Sequence, residues 1–207
     1  MKKLIALLLI LTMICTFAGC DNKMDALCGE WEMVTYLDTA TATDTLELLE
    51  FYPEEIAMLD ATSMGFVMIV EFNEDKTYRF AFDVEASDAM MEDYFRNCIT
   101  TLYDNRASLV DTYGESILEM SKSDFQQFYA EMFSLPNFDA LIDYFMDTAL
   151  DHDYMRKDIE KGTFYLMGDE IIVTPNGASE KESITFDVDG NVLTLTYADG
   201  VEVYNKR

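Results

Sequence analysis

The sequence predicts a mainly β protein with an α insertion (α+β): an eight-stranded antiparallel up-and-down barrel with a helical insertion between the third and fourth strands. Three observations predict it. Apolar residues alternate with period two near both ends of the chain. Between residues 87 and 161 the period becomes helical. After Gly162 every connection carries a turn signal, including Asp189-Gly190 and Asp199-Gly200, whose glycines accept positive φ. Eight antiparallel strands are enough to close on themselves and remove exposed edges.

The chain begins with Lys2 and Lys3, an apolar run from Leu4 to Phe17, and small residues Ala18 and Gly19. That pattern is a secretory signal over residues 1–19, too short to span a bilayer comfortably. The run Phe17-Ala18-Gly19-Cys20 resembles the bacterial lipobox. The resemblance implies cleavage before Cys20, acylation of its thiol, and a membrane partner reached through N-terminal acyl chains. A plain secretory signal would also end in small residues but has no reason to place a cysteine first. The expected location is the cell envelope, lipid-anchored to the outer face of the cytoplasmic membrane. Asp21 resembles an inner-membrane retention signal for an organism with two membranes. Residues 20–27 are expected to be a polar tether.

Without residues 1–19 the balance is 12 basic against 40 acidic residues, or −28. Such a charge excludes nucleic acid as a partner, because phosphate backbones are held through clustered Lys and Arg. The excess reads first as solubility. Abundant Phe, Tyr and Met with scarce Pro argue for a packed core and against disorder.

Residues 28–86 form the expected first half of the barrel. Cys28 to Tyr36 alternates as a strand, with Trp31 and Met33 on its apolar face. Residues 38–45 read as a loop, and Leu46 to Asp60 as two short helices around Pro53. Phe66–Phe72 and Thr77–Val84 make a hairpin, with Tyr78, Phe80, Phe82 and Val84 sharing one face. The insertion, residues 87–161, begins with a stripe of Met91, Phe95, Cys98 and Leu102. A shorter helix is expected over Leu109 to Met120. Ser123 and Gln126 have capping-box spacing ahead of Phe125, Phe128, Tyr129, Met132 and Phe133, and Asn137 is placed to cap a helix through Ala149. Residues 162–207 supply five strands: Thr163–Met167, Glu170–Thr174, Ser183–Val188, Asn191–Tyr197 and Val201–Asn205.

Gly29-Glu30-Trp31 in the first strand resembles the Gly-x-Trp signature of lipocalins and lipocalin-like domains. The resemblance covers about 100 residues in two blocks, and the later lipocalin motifs are not evident. It implies a barrel closed at one end by Trp31 under a cation from the last strand, with Arg207 as the barrel-closing partner and Lys206 beside it. It further implies inward residues Trp31, Met33, Tyr78, Phe80 and Phe82 lining a cavity or filling the barrel core.

Cys28 and Cys98 are an exported pair, which invites a disulfide; two separate buried thiols are the equal alternative. His152, the only histidine, lies in Asp151-His152-Asp153 and reads as a solvated loop residue, since no second nitrogen or sulfur ligand accompanies it. No nucleophile elbow, phosphate loop or dinucleotide motif occurs, so no cofactor, metal or enzyme activity is expected. Three functions remain. One is a surface-anchored lipoprotein binding a small apolar ligand; the Met and Phe stripes of the insertion could line such a site, though such stripes are more often core. The second is an envelope protein-interaction or structural module with a filled barrel. The third is an enzyme using only carboxylates and tyrosines, which would show as an acid with a perturbed pKa in a cleft.

Overall fold

Alternation in the terminal segments produces eight strands, described with the rest of residues 23–207 by a computed structural model. They are β1 (Gly29–Tyr36), β2 (Gly65–Phe72), β3 (Thr77–Phe82), β4 (Asp158–Met167), β5 (Glu170–Pro175), β6 (Glu182–Asp189), β7 (Val192–Thr196) and β8 (Val201–Lys206). They follow one another in chain order around a closed antiparallel barrel. The seam joins first strand to last, with Trp31 opposite Lys206 and Glu32 opposite Asn205. Residues 1–22, which hold the expected signal and Cys20, lie outside the described residues.

Helices interrupt the barrel order twice. Residues 23–27 are helical (α1). Between β1 and β2 lie α2 (Thr39–Leu48) and α3 (Pro53–Ile56). Between β3 and β4 lie α4 (Val84–Asp104), α5 (Val110–Tyr113), α6 (Lys122–Met132), α7 (Phe138–Ala149) and α8 (His152–Met155). Helix is therefore not confined to the expected insertion. The described chain divides into a barrel unit, residues 23–33, 68–81 and 158–207, and a helical unit, residues 34–67 and 82–157. Much of what the sequence assigned to the first barrel half thus clusters with the helices.

The barrel unit is built around aromatic side chains. Trp31 and Tyr204 are fully buried with Leu27, Val70, Ile171, Leu193 and Leu195, and Phe72, Tyr78 and Phe164 are nearly so. Phe72 meets Phe164 edge-on at 5.1 Å, a favoured aromatic arrangement. Leu27, expected in a tether, lies in this core, and its carbonyl accepts the Trp31 indole N–H at 2.8 Å. Residues 23–27 are a capping helix here because that buried N–H needs an acceptor.

Local chemistry starts and stops the helices. Residues 38–45 are not a loop: Asp38 accepts the backbone N–H groups of Ala40 and Thr41, which starts α2, and Ala42 and Leu46 bury its inner face. The capping box of α6 is Ser121 with Asp124, two residues before the expected pair, the Ser121 hydroxyl accepting the Asp124 N–H at 3.2 Å. Asn137 caps α7 through the Ala140 N–H at 2.9 Å. The single helix expected over Leu109–Met120 is broken at Gly114, whose φ of 85° a helix cannot hold. Its remnants are α5 and short 3-10 turns. Ser87, buried on α4, pins Val67 by accepting its N–H at 3.0 Å.

Candidate functional site: an aromatic cleft in the helical unit

The residues expected to line a barrel cavity are only partly brought together. Trp31 and Tyr78 lie within the buried barrel core, with Met33 and Phe80 packed against it. Phe82 does not join them. It belongs to the helical unit, where its ring meets Phe66 at 5.8 Å and Tyr154 at 6.1 Å. Next to it the pairing slips: Phe80 faces Glu160, Ala81 faces Asp158, and Ile159 is passed over. Side chains occupy the barrel interior. The Tyr78 hydroxyl donates to Glu160 at 2.6 Å and that of Tyr204 to Glu202 at 2.7 Å, so even the polar tips of this core are paired.

The cation over the Trp31 ring is Lys206, not the expected Arg207. The Lys206 ammonium stands 5.0 Å from the Trp31 ring, within cation–π range. Arg207 turns to the acids of β1, 2.9 Å from Glu30 and 3.3 Å from Glu32. Alternation explains the exchange: Lys206 pairs with Trp31, and its neighbour must point to the other face.

Of the two readings open for the cysteine pair, the structure has separate thiols, both free. Cys28 is half-buried in the barrel unit and Cys98 is buried on α4. Burial pushes the Cys98 thiol up to about 12. His152 is no solvated loop residue. It begins α8, is mostly buried, and its Nε2 lies 3.0 Å from an Asp88 carboxylate oxygen. Among the described residues no group of His, Cys, Asp and Glu side chains could hold a metal ion, and no helix is long and apolar enough to cross a membrane.

The barrel unit has a cleft of about 390 Å³ between Lys23, Ala26, Asp169 and the β6 residues Thr185–Val188, and two lie in the helical unit. The larger cleft, about 740 Å³, is lined by the turn from α2 into α3, by α5 and by the end of α6. The turn contributes Glu50, Phe51, Tyr52 and Pro53; α5 contributes Thr112 and Tyr113; Phe128, Met132 and Phe133 complete it. Glu50 holds the turn with a φ of 64°, unusual for a residue with a side chain. Tyr113 is the hinge of the lining: its ring meets Tyr52 at 6.0 Å and 65°, and Phe128 at 5.5 Å and 82°. Tyr52 and Met132 are each more than two-fifths exposed.

Behind these rings sits Glu55, 1% exposed. One carboxylate oxygen accepts the Tyr113 hydroxyl at 2.6 Å, and the other accepts the Tyr52 N–H at 2.8 Å. The Tyr113 hydroxyl is also 3.3 Å from that of Tyr129. Burial raises the Glu55 carboxyl above its ordinary range against the lowering effect of both bonds. Tyr113 is pushed far above the usual phenol range by burial and by Glu55, so it stays a donor. Both Glu55 oxygens are engaged, one holding the start of α3 and one holding the cleft wall.

No family model, curated protein or solved structure matches the chain.

A second cleft, about 250 Å³, lies between Leu59, Asp60, Ser63 and the α4 residues Met90, Asp93, Tyr94, Asn97, Cys98 and Thr101. Tyr94 is 7% exposed and its hydroxyl has no hydrogen-bond partner. The Cys98 thiol one turn along interacts with it electrostatically without a bond of acceptable geometry. Sequence reasoning missed both clefts. The signal available for the first was Pro53 opening a helix with an acid three residues after Tyr52, a capping pattern lacking its usual Ser or Thr.

Proposed function

We propose that the chain is a non-enzymatic binding lipoprotein of the cell envelope, lipid-anchored through Cys20. Its lipocalin-like barrel is a filled scaffold, and its helical unit binds a small, largely apolar molecule in the cleft of Tyr52, Tyr113 and Phe128. The observation that carries this reading is the contrast between the barrel interior and the aromatic cleft. The barrel interior holds fully buried rings with paired hydroxyls, whereas the aromatic cleft has a volume within the roughly 300–1,000 Å³ of small-molecule sites. Glu55 is an acid with a raised pKa beside a cleft, the mark of the carboxylate enzyme. Its two hydrogen bonds and near-complete burial support instead a role as the bracket that fixes Tyr52 and Tyr113.

The test is thermal shift of the wild-type chain against neutral and charged lipophilic compounds, beside native mass spectrometry for co-purifying molecules. A hit that Met132→Arg weakens at least about tenfold supports the site, because an exposed cationic head there costs little folding stability yet blocks an apolar wall. A bare mass and no shift from any compound sinks the reading and returns the search to envelope protein partners.

A further inference from the structure

The chemistry of the cleft goes further than its apolarity. We propose that it recognises an organic ammonium ion, quaternary or protonated, carrying an apolar group, held among the rings of Tyr52, Tyr113 and Phe128 with Glu50 as counter-charge. This rests on the binding reading above and names the class of ligand.

Ring geometry comes first. Two ring pairs at steep angles, 65° and 82°, share Tyr113, so three rings stand as adjoining walls and not as one flat stack. All three rings line the one cleft, so a methylated or protonated amine entering it meets aromatic carbon on adjoining sides. The Tyr113 hydroxyl donates to the Glu55 carboxylate, which shifts electron density into its ring and deepens the attraction.

Charge decides between cation and anion. Neither lysine nor arginine lines the cleft, while Glu50 does. Residues 34–67, which carry the turn, contain seven acids and no Lys or Arg. A carboxylate ligand would meet like charge with no donor cation, a repulsion that a fatty acid or bile acid cannot escape. An ammonium ion meets attraction at contact range and along its approach.

The experiment is isothermal titration of the full chain at pH 8 with benzyltrimethylammonium and with neopentylbenzene, its uncharged isostere. At least tenfold tighter binding of the ammonium is expected. Equal affinity overturns the cation inference and leaves the cleft as an apolar site; binding of neither overturns the cleft reading itself. A cation merely condensing on an acidic surface is separated by Tyr52→Leu, which keeps apolar bulk at a half-exposed position and removes one ring face. The ammonium affinity should fall severalfold toward that of the isostere, and an unchanged affinity overturns the inference. Choline-headed vesicles, titrated likewise, assign the cation to a lipid headgroup if Tyr52→Leu abolishes their binding, and to a free amine if they do not bind; either result keeps the ammonium class.

Discussion

Single residues in the helical unit carry costs that the barrel avoids. Tyr94 buries a hydroxyl beside the Cys98 thiol, a weak partner at best, so Tyr94→Phe is expected to raise stability by about 1 kcal/mol. Urea unfolding of the two proteins checks it, and a loss of stability would mean the hydroxyl has a partner after all. Glu55 gives a pH signature of defined sign. Its folded-state pKa is raised, so the folded chain holds a proton that the unfolded chain has released above about pH 4.3. Its contribution therefore falls as pH rises through and beyond that value. The stability of wild type relative to Glu55→Gln, followed by urea unfolding from pH 4 to 8, should decline; a flat or rising difference refutes the assignment. Cys98, held as a protonated thiol by burial, should resist a brief maleimide pulse that modifies half-buried Cys28, and react only as the chain unfolds. Peptide mapping distinguishes the two sites.

At the scale of elements, legibility followed how far each signal depends on neighbours. The C-terminal strands were readable because alternation and Asp-Gly turns are local: Gly190 has the expected positive φ of 60°, whereas Gly200 makes its turn without one. Asn137 was readable for the same reason. Residues 38–45 were not, since every second residue is a threonine, a weak helix former that offsets the alanines between, and the Asp38 cap with buried Ala42 and Leu46 decides the matter. The aromatic cleft was hidden because its lining comes from three separate segments, and Phe128 and Met132 have the same helical spacing as any core stripe. One element carries a clear steric prediction. At Gly162 in β4 a side chain would drive into the Thr174 carbonyl oxygen and the Pro175 Cα of β5. Gly162→Ala is expected to cost roughly 1–3 kcal/mol by forcing these strands apart. Thermal unfolding checks it, and an unchanged Tm would show that the strands can give way.

Across the whole molecule the two cores differ in kind. The barrel core gathers β1, β2 and β3 residues with those of β4 to β8, whereas α4, α6 and α7 contribute to the helical core from one continuous stretch. The seam between β1 and β8 follows from that arrangement. Trp31 finds its strand partner only at Lys206, so the first strand has an open flank until nearly the whole described chain has been made. Contacts so distant in sequence close slowly. Closure of the barrel therefore waits for β8, and a chain halted before it presents an unpaired edge to every neighbouring chain. For this protein, time spent unfinished is the hazard, and the last strand ends it.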